Sequence, residues 1–139
     1  MPNSFTIVLI AQAVVVVAGV WLIFSGIVAL IRPVLATTFI ARMGSTVRIH
    51  WTEHTVRALA GAGLILASPA AWAPGLFLYG GVFLIATSSL ILAAPRSWHA
   101  RYSQTAARHL TPGLVRLLAP LAMIGGTALI WATRPGSAF

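Results

Sequence analysis

The longest uncharged run of this chain extends from Phe5 to Ile31, 27 residues with only three polar side chains. A helix needs about 20 predominantly apolar residues to cross the hydrocarbon core of a bilayer. Two further apolar runs, 76–94 and 114–133, are long enough for the same purpose, and we add the stretch of small residues that begins at Val56. The sequence therefore predicts an all-α membrane protein with four transmembrane helices.

Two of the apolar runs end alike. The segments 19–33 and 81–95, aligned without gaps, share Gly, Val, Leu, Ile, Leu and Pro at the same positions. We therefore predict a single domain, 1–139, made of two tandem helical hairpins, repeat 1 at 5–72 and repeat 2 at 74–134. Both hairpins enter the membrane from the same side, so the repeat is parallel, with its pseudo-symmetry axis along the membrane normal. After each proline, apolar residues recur at helical spacing among arginines, which is typical of a short interfacial helix.

The charge of the chain is strongly one-sided. Nine arginines oppose one acid, Glu53, for a net charge of +8. Because the arginines flank apolar runs, we expect anionic phospholipids rather than nucleic acid as partners. Eight arginines fall in or beside the two long loops, so the positive-inside rule predicts a bacterial inner-membrane protein with cytoplasmic loops and both termini periplasmic. The predicted headgroup contacts are Arg42, Arg48, Arg101 and Arg108.

A resemblance to a known family follows from the second half of the chain. There an apolar helix is followed by Pro95-Arg-Ser-Trp98, a basic loop, Thr111-Pro112 and Val115-Arg116. This pattern resembles the YjeT-like small bacterial inner-membrane proteins, which are two-helix hairpins of unknown function. The resemblance covers about residues 80–133, and more faintly 18–68. It implies a tandem hairpin and no particular activity.

One short motif could bind a metal. The segment His50-Trp-Thr-Glu-His54 matches H-x-x-E-H, in which two histidines on one helical face hold zinc and the glutamate activates water. A third ligand would have to be His99 or His109. The other interpretation is a helix start, with Thr52 as N-cap and Glu53 in the first turn. We favour the helix start and predict no metal or other cofactor, with His50 and His54 as the residual metal candidates.

The remaining polar and aromatic residues of the apolar runs do not form a catalytic set. Trp21, Thr87, Ser88 and Ser89 lie at mid-depth and are candidates for contact with a partner subunit, a quinone or a pigment. Ionisable residues of the kind that ion-coupled transporters carry are missing from the spans. We therefore expect a non-catalytic accessory subunit of a larger inner-membrane complex, respiratory or photosynthetic. The alternative is a small homo-oligomeric transporter or lipid-handling protein.

Overall fold

Helices account for nearly all of the part of the chain that the computed structural model describes, residues 4–134. Six α-helices lie in this range, with one 3-10 turn, Ser68–Ala70, after the third. Their bounds are α1 Ser4–Ile31, α2 Pro33–Arg42, α3 Val47–Ala67, α4 Pro74–Ala93, α5 Arg96–His109 and α6 Pro112–Ala132. Prolines begin α2, α4 and α6, where a missing amide hydrogen breaks no helical hydrogen bond.

The prediction of four transmembrane helices with short helices in the loops was wrong. Among the described residues, three helices, α1, α4 and α6, are long and apolar enough to cross a membrane. The 21-residue α3 is long enough, but two arginines, two histidines and Glu53 lie in its N-terminal half. Such side chains are costly in hydrocarbon. The loops contain regular helices of 10 and 14 residues that pack against each other. Only the all-α class was right.

The start of α3 also differs from the prediction. Thr46, rather than Thr52, caps the helix, because its hydroxyl oxygen accepts a hydrogen bond of 3.2 Å from the amide of Ile49. The whole segment from His50 to His54 is therefore helical. The last helix begins as the Thr111-Pro112 pair predicts, since threonine is a common N-cap and proline suits the first helical position. The Thr111 hydroxyl oxygen accepts from the amide of Leu114 at 3.3 Å.

The most extensive contacts among the four long helices join neighbours in the order α6, α1, α3, α4, and α4 and α6 face each other across a gap that both helices line. The α1–α6 and α3–α4 contacts are antiparallel and are the most extensive of the fold, and each is built on a pair of glycines. A methyl group on Gly19 would lie 2.7 Å from the carbonyl oxygen of Gly126, and one on Gly61 would lie 2.8 Å from that of Gly81. Only glycine allows backbones to approach this closely.

The two glycine crossings are equivalent in sequence. Each of the four glycines is followed, four residues later, by an isoleucine that contacts the opposing glycine position. The predicted repeat makes α1 equivalent to α4 and α3 equivalent to α6. Each first helix therefore makes its closest crossing with the second helix of the other hairpin rather than of its own. The repeat boundaries themselves stay a prediction.

The two ends of the bundle differ in chemistry. One end is formed by α2, α5 and the adjoining ends of the long helices, and these segments carry every arginine except Arg134. At the other end the Trp72 amide donates to the carbonyl of Ala132 at 3.0 Å, and the Gln12 side chain donates to the carbonyl of Thr133 at 2.9 Å. Both ends of the described chain lie at this second end.

Candidate metal centre

Three histidines from two helices meet at the arginine-rich end. His50 and His54 are one turn apart on α3, so they share a face, and His99 comes from the first turn of α5. The Nδ1 atom of His99 lies 3.2 Å from His50 Nδ1 and 3.5 Å from His54 Nε2. One ring nitrogen from each histidine lies within 4.8 Å of the other two. The three imidazoles thus converge on one point.

Burial favours the uncharged form of these imidazoles. His54 is fully buried and His50 is 4% exposed. Burial, followed by the neighbouring charges of His99, His50 and Arg57, lowers the pKa of His54 to about 4. Burial is also the largest cause that lowers the pKa of His50 and of His99. These lowered pKa values favour the neutral imidazole, which is the form that binds metal ions.

Glu53 stands behind one of the histidines. Its Oε1 atom lies 3.6 Å from Nε2 of His99, the ring nitrogen that points away from the convergence point. Metal-bound imidazoles commonly direct their second ring nitrogen towards a carboxylate, which fixes the tautomer and the ring orientation. Burial raises the pKa of Glu53, whereas the nearby His50 and Arg57 lower it. Glu53 is therefore placed to orient His99 rather than to begin a helix.

The turn before α3 lies against His99. Gly44 has a φ of 68°, a left-handed conformation that favours glycine. A methyl group on Gly44 would lie 2.9 Å from Nδ1 of His99. The side chain of Arg96 also donates to the carbonyl of Ser45 at 2.8 Å. These contacts hold the start of α5 against the turn.

The spacing of the nitrogens fits a metal ion. A tetrahedral zinc ion with bonds of about 2.05 Å to nitrogen separates its ligand nitrogens by about 3.3 Å. The two distances that involve His99 Nδ1, 3.2 and 3.5 Å, bracket this value. Three protein ligands leave a fourth coordination position for water or another donor.

The other predicted contact residues lie apart from the three histidines. Trp21 is 56% exposed on α1, with its ring centroid 5.8 Å from that of Phe24. The Thr87 hydroxyl donates to the carbonyl of Phe83 at 2.7 Å and accepts from Arg57 at 3.4 Å. Ser88 is buried, and within residues 4–134 its hydroxyl has no hydrogen-bond partner, whereas Ser89 is exposed. Trp21 and Thr87 thus contact their own helices, and Thr87 also contacts Arg57 of α3.

The predicted headgroup residues are all at the surface. The side chains of Arg42, Arg48, Arg101 and Arg108 are exposed at the α2–α5 end. His109, the second candidate for a third metal ligand, is exposed at the last residue of α5 and lies outside the cluster. The structure therefore selects His99 as the partner of the H-x-x-E-H pair.

Comparison with known proteins found no match. No protein-family model, no curated protein and no solved structure matches this chain. The resemblance to the YjeT-like proteins stays a prediction.

Proposed function

We propose that this chain is a membrane protein that binds one transition-metal ion through His50, His54 and His99. The convergence of three imidazole nitrogens at metal-ligand spacing carries the proposal. Imidazole ligands suit zinc, copper, iron and nickel, and zinc accepts a tetrahedral site with one open position. We take Zn²⁺ as the representative ion.

The proposed ion has a structural consequence. It joins α3 to α5 and so ties the arginine-rich surface to the long helices. This linkage suits a non-catalytic role, because a metal that holds two elements together stabilises the folded state by its binding free energy. Glu53 then acts as the residue that positions His99.

We also propose that the protein resides in a bacterial inner membrane with its arginine-rich end in the cytoplasm. The three apolar helices and the eight-to-one distribution of arginines support this orientation. An accessory role in a larger complex stays a prediction, favoured by the exposed Trp21–Phe24 pair on a membrane-length helix. Native mass measurement after mild-detergent extraction tests it, and a discrete monomer or homo-oligomer would rule it out.

The metal site is tested by titrating the detergent-purified full-length protein with Zn²⁺ in a calorimeter. We expect one ion per chain. His54→Ala and His99→Ala should each lower the affinity at least 100-fold, because each removes one of three ligands. Glu53→Gln should lower it about 10- to 100-fold, the usual effect of removing a carboxylate that orients a ligand.

His109→Ala is the matched control, because His109 is a histidine of the same end of the molecule that lies outside the cluster. It should leave the affinity unchanged. Visible absorption of the Co²⁺-loaded protein provides a second measurement, since a tetrahedral site gives intense bands. Equal loss of affinity in the control and cluster variants, or no binding by the wild-type protein, would contradict the proposal.

A further inference from the structure

A groove separates α4 from α6 at the end of the bundle that is poor in arginine. It has a volume of about 310 Å³, and apolar side chains and glycines line it. Leu64 of α3 lies at its floor, Gly80 and Phe77 on one wall, and Gly125 and Leu129 on the other. A methyl group on Gly125 would meet no atom within 4 Å. The groove is therefore a real gap between two helices.

The equivalent place in the other half of the molecule is closed. There α1 packs on α3, so that a methyl group on Gly63 would lie 2.8 Å from the side chain of Val14. The repeat places the buried Val15 of α1 where α4 has Phe77. Both residues belong to one buried cluster, and the gap between α4 and α6 lies beside Phe77.

The helices around the groove indicate that its ligand is apolar. Both walls belong to helices that are apolar and long enough to span a membrane, so the open side faces hydrocarbon. Apolar cavities do not hold water. The indoles of Trp72 and Trp131 are 4.9 Å apart at the mouth of the groove, and tryptophan is typical of the level at which acyl chains meet headgroups.

The shape of the groove suits a hydrocarbon chain. Its walls are apolar and include a glycine on each side, Gly80 of α4 and Gly125 of α6, so a chain without side branches can lie along it. A helix of a second copy of this chain is the competing occupant, and the test below distinguishes the two.

We propose that the α4–α6 groove binds one acyl chain of a membrane phospholipid, whose glycerol end lies at Trp72 and Trp131. This site is independent of the metal centre, since the groove lies at the opposite end of the bundle. It is also distinct from the headgroup contacts of the arginines.

The test is native mass spectrometry of the full-length protein, purified in mild detergent and incubated with palmitoyl-oleoyl phosphatidylglycerol. Wild-type protein should retain one phospholipid. Gly125→Leu, which fills the groove, should lower the retained fraction at least tenfold. Gly113→Leu is the matched control: Gly113 is exposed in the first turn of α6, a methyl group there meets nothing within 4 Å, and retention should be unchanged.

A second measurement covers the case in which Gly125→Leu does not fold. Trp21, Trp51 and Trp98 are replaced by phenylalanine, and one equivalent of phosphatidylglycerol with a brominated acyl chain is added in detergent. Fluorescence of the remaining Trp72 and Trp131 should fall at least twofold. No quenching, equal lipid retention in Gly125→Leu, or a wild-type dimer that this substitution dissociates would overturn the proposal.

Discussion

At the scale of single residues, the proposed centre depends on a glycine that does not itself bind metal. Gly44 has a left-handed backbone and leaves no room for a methyl group beside His99, so it shapes the turn and lets the ring lie close to it. The histidines of α3 are placed by their own helix, but His99 is placed only by what α5 rests against. The position of His99 therefore depends on Gly44 as well as on Glu53 and the Arg96–Ser45 hydrogen bond.

Gly44→Ala should disturb the site through both effects. The added methyl group strains the backbone and displaces His99, and we expect a loss of about 1–3 kcal/mol in stability and about a tenfold lower Zn²⁺ affinity. Thermal unfolding and Zn²⁺ titration measure the two effects. Gly75→Ala is the control, because its methyl group would meet only the Tyr79 ring at 3.9 Å. A Zn²⁺ affinity equal to that of the control would show that Gly44 does not position His99.

At the scale of helices, the bundle is held by two equivalent crossings rather than by two separate hairpins. Each crossing brings two backbones together at facing glycines, with isoleucines filling the space on either side. Within a membrane, close packing of this kind is a main source of helix association, since lipid tails are as apolar as the side chains. The cross-paired arrangement therefore follows from where the glycines lie.

Gly81→Ala tests the α3–α4 crossing. Its methyl group would meet the Gly61 carbonyl oxygen at 2.5 Å and Ile65 at 2.7 Å, so the helices must separate. We expect a loss of about 1–3 kcal/mol, the usual cost of overpacking. The neighbouring Gly80→Ala is the matched control, because its methyl group would come no closer than 4.0 Å to Leu64. Thermal unfolding in detergent, followed by circular dichroism, should separate the two variants, and coincident curves would argue against the crossing.

At the scale of the whole molecule, charge is sorted to one end. Eight arginines lie on the segments of the α2–α5 end and one at the other, and the single carboxylate is engaged at His99. The exposed arginines thus have no acidic side chain to neutralise them. An anionic membrane surface would provide that neutralisation, at about 1 kcal/mol for each arginine near it.

Replacing Arg42, Arg48, Arg101 and Arg108 together by glutamine should reduce the phosphatidylglycerol that co-purifies with the protein by severalfold, because four exposed charges are lost. Quantitative lipid mass spectrometry provides the measurement. Arg134→Gln, at the other end of the bundle, should leave the lipid content as in the wild type. Unchanged lipid in the quadruple variant would rule out these arginines as headgroup contacts.

The sequence by itself was sufficient for the features that depend on neighbours along the chain. The apolar runs predicted the all-α class, and three of the four helices predicted to span the membrane are long and apolar enough to do so. The Thr111-Pro112 pair predicted the start of α6. The same reasoning failed for α3. Its apolar half suggested a span, and Thr52-Glu53 resembled a helix start, although Thr46 offers an equally good cap earlier in the chain.

The tertiary structure alone decided the pairing of the helices, the third histidine and the groove. His99 lies 45 residues after His54, and no local pattern distinguishes it from His109 as a ligand. Several pairings would bury the apolar faces about equally, because hydrophobic burial is non-directional. The pairing that the structure adopts brings backbones into close contact at four glycines. Such contacts depend on how the helices fit together in three dimensions, and this fit cannot be read from the order of residues along the chain.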